Sequence, residues 1–243
     1  MMAYISAEWR KLNKTQLLLV GFVLFFISSF IGLSTYYLNR SVFIDDTQSL
    51  VMWGQLTLFN SQIFFPALLA IFMGISLMPE FERTTLEMLR ANNVSIAKLL
   101  LSKLVSLVLI LLPLQCLLVV TWFIALSIDH INVVNEILVH MKWVLLSVIG
   151  AVSILSLQAF ILAKTRNFAK SVGVSAIGAI GGLVLLFINE SLTKYYPYSL
   201  VMIALRSRAL KDFRIPDLII FIIVSSIYSF IFFKLTCKEL ANS

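Results

Sequence analysis

Apolar residues run almost unbroken through six stretches, 16–37, 53–78, 99–128, 143–163, 171–188 and 218–233, with polar segments between them. A helix crossing the hydrocarbon of a bilayer needs about 20 such residues. Each stretch is of that order, so the pattern predicts an all-α integral membrane protein with six transmembrane helices. The first stretch follows Arg10, Lys11 and Lys14, as a signal peptide would. Its run is too long for an h-region and no small-x-small cleavage site follows, so it is expected to stay as a helix. Pro66 and Pro113 fall inside the second and third spans and predict kinks. The segment 189–217 is long for a loop, and its middle, 200–210, is apolar enough for a short helix lying at or dipping into the membrane surface.

Two shorter segments are amphipathic. In 1–14, Met2, Ile5, Trp9 and Leu12 recur at helical spacing, with Glu8, Arg10, Lys11 and Lys14 elsewhere around the helix. That describes an interfacial helix with Trp9 at headgroup depth. In 79–91, Pro79 suits a first helical turn and Glu80 and Glu82 suit its positive end. Phe81, Thr85, Met88 and Leu89 share a face there, and Arg83 can pair with Glu87. Acidic residues are a poor match to an anionic lipid surface, so this short helix is expected to seat in a protein groove.

Composition agrees with the pattern. Of 243 residues, 60% are hydrophobic and 13% charged, where soluble domains carry about 25% charged residues. The mean hydropathy is +0.98. A net charge of +7 raises nucleic acid as a partner, but the placement of the charges argues against it. With the N-terminus in the cytoplasm, the inner segments hold twelve basic residues against five acidic, and the outer segments seven against seven. The whole excess is therefore a positive-inside signal, with both termini cytoplasmic. Lys194, Arg206, Arg208, Lys211 and Arg214 resist that pattern, because all lie in the last outer loop. Cys116 and Cys237, the two cysteines, have neither metal-ligand nor disulfide-framework spacing.

The predicted spans carry no ionisable residue near their middles; their polar side chains include Asn60, Gln62, Gln115 and Gln158, a possible substrate path. A charge at that depth costs about 2.5–3.5 kcal/mol on insertion scales and is kept where it works. Its absence disfavours ion-coupled carriage. Both histidines, His130 and His140, fall in one predicted outer loop. No zinc-binding H-E-x-x-H pair or G-x-S-x-G elbow is present, which argues against catalysis. Gly178 and Gly182 form a small-x-x-x-small face, as do Ser171, Ser175 and Ala179, and these predict tight helix packing.

The run Glu80-x-Glu82-Arg83-x-Thr85-Leu86-Glu87-x-Leu89, then Val94-Ser95-Ile96-x-Lys98 and Lys103, resembles the cytoplasmic signature of ABC-2 type permeases. Thr84 stands where that family often has glycine. The layout of the whole chain, as one transmembrane domain over 1–243, is similar to the family, while the specific residues lie within 79–103. Size and small outer loops look most like the permeases of lantibiotic-immunity transporters and of exporters of amphipathic peptide toxins, the phenol-soluble-modulin type. The resemblance implies a bacterial plasma-membrane subunit working with a separate ABC ATPase, which would hold the ATP and Mg. It also implies a second permease, identical or related, and peptide cargo. The 80–90 helix would be the coupling helix, with Glu80, Glu82, Arg83 and Glu87 as charged contacts and Phe81, Leu86 and Leu89 as apolar ones. The chain has no Walker A sequence, so it cannot bind ATP in the P-loop manner. Two competing readings remain from the residues: a gradient-driven carrier or channel acting alone, and a non-transporting membrane partner.

Overall fold

The structure, a computed structural model, describes residues 1–43, 47–82, 85–209 and 211–242. In chain order its helices are α1 (Met2–Lys11), α2 (Lys14–Leu38), α3 (Gln48–Phe59), α4 (Phe65–Leu77), α5 (Thr85–Ala91) and α6 (Ile96–Ile128). They continue with α7 (Ile137–Thr165), α8 (Phe168–Ile188), α9 (Glu190–Thr193), α10 (Leu200–Ala204) and α11 (Ile215–Asn242). Among the described residues six helices are long and apolar enough to cross a membrane, one for each predicted stretch. The protein is an all-α membrane protein.

The observed ends extend the predicted ones, most at the last span, which runs through polar Lys234, Lys238 and Glu239 to Asn242. A helix continues as long as its backbone bonds close, whereas hydropathy marks only the part in contact with hydrocarbon. Asn13, Ser95 and Asn167 cap α2, α6 and α8 by accepting from backbone N–H groups two or three residues into each helix.

At the centre α7 packs against α4, α6, α8, α10 and α11. Large apolar side chains of α2, α8 and α11, such as Phe22, Phe26, Phe30, Ile177, Phe187, Ile223 and Phe230, remain exposed. Hydrocarbon can cover such faces and water cannot. Several buried hydroxyls are satisfied within their own helices: Thr57 donates to Trp53 O, Ser61 to Thr57 O and Ser102 to Leu99 O.

The second span is continuous but uneven. Between α3 and α4 it passes through a π-helical turn, Asn60–Phe64, in which the Phe65 N–H bonds Asn60 O five residues back. Pro66 follows at once and has no N–H to give, so the ladder is loosened just where proline would break it. Pro113, by contrast, sits inside an unbroken α6.

The apolar middle of 189–217 does not lie on the surface. α10 is buried against α7, with Leu200, Val201 and Ala204 fully covered. The 3-10 turn Pro197–Ser199 and α10 form a re-entrant segment that needs no spanning length, because protein and not lipid surrounds it.

Candidate coupling site and the buried charges behind it

α4 ends in the 3-10 turn Met78–Phe81, with Pro79 in its first turn. Glu82 is extended, Thr85 caps back onto the Glu82 carbonyl at 2.7 Å, and α5 then runs for two turns. The outer surface of this unit carries Glu82, Glu87 and Met88, with Thr85 and Leu89 half-buried. Phe81 is also half-buried, and the Arg166 guanidinium stands 5.9 Å over its ring. Arg83, with its expected pairing to Glu87, lies outside the described residues.

Two predicted contacts face the other way. Leu86 is turned into the apolar core. Glu80 is buried and bonds inward: its Oε1 lies 2.8 Å from Lys103 Nζ. The same ammonium donates to Glu8 Oε2 at 2.6 Å and to the Ser76 carbonyl at 2.8 Å. Lys11 reaches the two carboxylates from the solvent side, at 3.1 Å from Glu8 and 3.6 Å from Glu80. Desolvation pulls the Lys11 pKa down, yet hydrogen bonding and charge from Glu8 and Glu80 outweigh it and leave it raised. Glu80 and Leu86 therefore leave the outward-facing set, and Met88 joins it.

This cluster also corrects the reading of α1. Glu8 was expected on the polar side of an interfacial helix, but it is the buried residue of α1, with Leu12 buried just past the helix end and Met2 exposed. α1 packs on α6 through Glu8. Sequence reasoning missed the arrangement, although a lysine eight residues into a long apolar helix was a sign that an acid must meet it.

The expected substrate-path residues divide. Gln158 is engaged at both ends of its amide, donating to Tyr198 Oη and accepting from Ser171 Oγ, both at 2.9 Å. Gln62 Nε2 donates to the Ala179 carbonyl, tying the π-helical turn to α8. Asn60 donates to Ser28 Oγ at 2.9 Å. Asn60 and Gln115 line one small crevice between α2, α4 and α6, with Gly21 and Phe64.

Gly178 and Gly182 do serve close packing, but their partners are mostly not helices. A Cβ at Gly178 would collide with the Tyr198 ring, and one at Gly182 with the Gln62 amide and Ser199 Oγ. On α7, a Cβ at Gly150 would stand 3.1 Å from the Leu200 carbonyl carbon. These glycines are notches for the re-entrant segment. Ser175 donates to the Pro66 carbonyl at 2.7 Å, so the serine face of α8 is the one that meets α4.

His140 is not in a loop. It lies in the first turn of α7, buried, stacked on Trp122 at 4.1 Å and edge-on to Trp53 and Trp143 at 4.5 and 4.8 Å. Its Nδ1 meets Glu136 O. Taking Trp143 as the start of the span excluded it. Beyond it, Asp212 accepts from Trp143 Nε1 at 2.8 Å and pairs with Lys142. Desolvation works against the Asp212 carboxylate, but bonds from Lys142, Trp143 and the Phe213 N–H prevail and hold its pKa below the ordinary value.

Over residues 4–182 the chain matches the family described as ABC-2 family transporter protein. No curated protein and no solved structure matches it. The matched region takes in α1, the coupling unit, Lys103 and most of α8, nearly three quarters of the chain. The chain belongs to the ABC-2 transporter family and is a membrane permease of an ABC transporter.

Proposed function

We propose that this permease serves an ATP-driven exporter of amphipathic antimicrobial or toxin peptides in a bacterial plasma membrane, paired with a second permease and driven by a separate ATPase. The ATPase, carrying ATP and Mg, seats against α5 from the cytoplasm, where both termini also lie. The observation that carries this reading is the unit 82–91. Its described residues present Glu82, Glu87 and Met88 outward, and Leu86 anchors α5 to the apolar core behind. Such a surface suits a basic and apolar groove. Peptide cargo is supported by spans that combine modest polarity with lipid-facing apolar surface, which lets an amphipathic helix reach the permease from within the bilayer.

Co-purification with an ABC ATPase subunit co-expressed from the same genome tests the partner. The wild type should retain the ATPase and a Glu82→Lys, Glu87→Lys variant should lose it. A wild type that brings down no ATPase sinks the coupling assignment. Cargo is tested separately in proteoliposomes holding the complex and a fluorescent amphipathic peptide. ATP-dependent movement of the peptide supports export, and none despite active hydrolysis removes peptides as cargo.

A further inference from the structure

Lys103 gathers four parts of the chain on one nitrogen. It comes from α6, Glu8 from α1, Glu80 from the turn before α5, and the Ser76 carbonyl from the end of α4. An ammonium has three protons to give, and here each has a partner. The side chains of Lys103, Glu8 and Glu80 are 2%, 3% and 3% exposed. With Lys11 closing the outer side, two carboxylates face two ammonium groups and the cluster is neutral.

A buried ion cluster is weak support for stability, because apolar residues of similar size often do as well. What it enforces is togetherness: withdrawing any one element strands a charge out of water, at a far greater cost than parting apolar surfaces. A helix that merely floated at the interface would have no use for a buried glutamate facing the bundle. α1 is therefore clamped to α6 and to the very turn from which α5 projects. Leu89 of α5 also borders the apolar groove beside Ala3, Tyr4 and Ala7 of α1.

We infer that Lys103 is a positioning residue for energy coupling: through Glu8 and Glu80 it makes α1, the Met78–Phe81 turn with the α5 packed on it, and the base of α6 move as one body when the ATPase acts. This rests on the coupling role proposed above. A push on α5 reaches Glu80 five residues before its first turn, and Lys103 passes it to α6 and α1 together. α1 then belongs to the moving machinery.

The test uses the purified permease–ATPase complex with Cys116 and Cys237 replaced by serine. Spin labels go at the exposed positions Ala7 and Met88, and their separation is measured with and without a non-hydrolysable ATP analogue. In the otherwise wild-type protein the distance should be the same in both nucleotide states. In the neutral variant Glu8→Gln, Lys103→Met, Glu80→Gln, which leaves no buried charge and is first checked for an unchanged circular-dichroism spectrum and retained ATPase, it should change with nucleotide. A purely structural role for Lys103 would leave both proteins insensitive to nucleotide, and that result overturns the inference. So does a wild-type distance that shifts beyond its own width when nucleotide binds. If the wild type carries no ATPase at all, the coupling reading itself has failed and this inference falls with it.

Discussion

The two ends of the bundle hold non-spanning segments in place by opposite means. At one end α1 and the coupling turn are tied down by charge, with Glu8, Lys103 and Glu80 buried together. At the other the re-entrant segment itself is held by shape and neutral bonds, and ion pairs such as Lys142–Asp212 and Lys194–Asp217 flank it. Tyr198 sits over Gly178, Leu200 against Gly150, and Trp53 Nε1 donates to Leu205 O at 2.7 Å. Charge acts at a distance and punishes separation, so it suits parts that must move together. Shape acts only at contact and is indifferent to pH and salt, so it suits a seal that must stay closed against lipid and water. The difference assigns each end a mechanical character before any partner is considered.

The comparison breaks most sharply at Lys103. A Lys103→Met substitution leaves two buried carboxylates with only the half-exposed Lys11 between them and should cost about 3–5 kcal/mol, read as a large fall in thermal midpoint in detergent. The neutral triple variant should recover most of that loss. If it does not, packing and not charge holds the cluster. Next comes Gly178→Val, which drives a branched side chain into the Tyr198 ring and should cost about 1–3 kcal/mol. Its unfolding midpoint should fall equally at low and high salt, whereas that of Lys11→Met, at the half-exposed edge of the charged cluster, should differ from wild type only at low salt. Trp53→Phe keeps a ring beside His140 but strands the buried Leu205 carbonyl, for about 1–3 kcal/mol. Trp fluorescence and the midpoint together read this change.

The smallest effect is acid sensitivity. The Asp212 pKa is depressed in the fold, so its contribution is present above the ordinary value of 3.8 and is lost as pH falls through the folded value below that. Indole fluorescence followed below pH 3.8 should show a step as Trp143 loses its acceptor. Asp212→Asn should lack that step. A step of equal size in the variant would assign it elsewhere.

The six spans were legible because lipid imposes one rule on everything it touches: a run of apolar residues as long as the bilayer is thick. What lipid does not touch was harder to read. Leu200–Ala204 is as apolar as any span, yet protein surrounds it and no minimum length applies, so only its approximate depth could be anticipated. His140 reads as a loop residue because the ring cage around it comes from three helices. Glu8 and Lys103 lie 95 residues apart, and each looks ordinary alone, one on an amphipathic helix and one flanking a span. The outward side of the coupling segment was legible in Glu82 before α5 and Glu87 within it. Its inward face was not, since helical spacing shows which residues share a side but not which side meets the bundle.

One consequence follows from the widened turn at Asn60–Phe64. Each residue of an α-helix turns the chain by about 100°, so one extra residue in a turn rotates everything beyond it against everything before it. The second span is thus two half-helices in different phase: α3 addresses α2, while α4 addresses α7 and α8. Deleting a single residue from 60–64 would restore one continuous phase and misdirect a whole half-span, sparing every contact on one side and scrambling those on the other. Insertions and deletions here act as a rotary dial, and the side chains that mark the setting are Asn60 and Gln62.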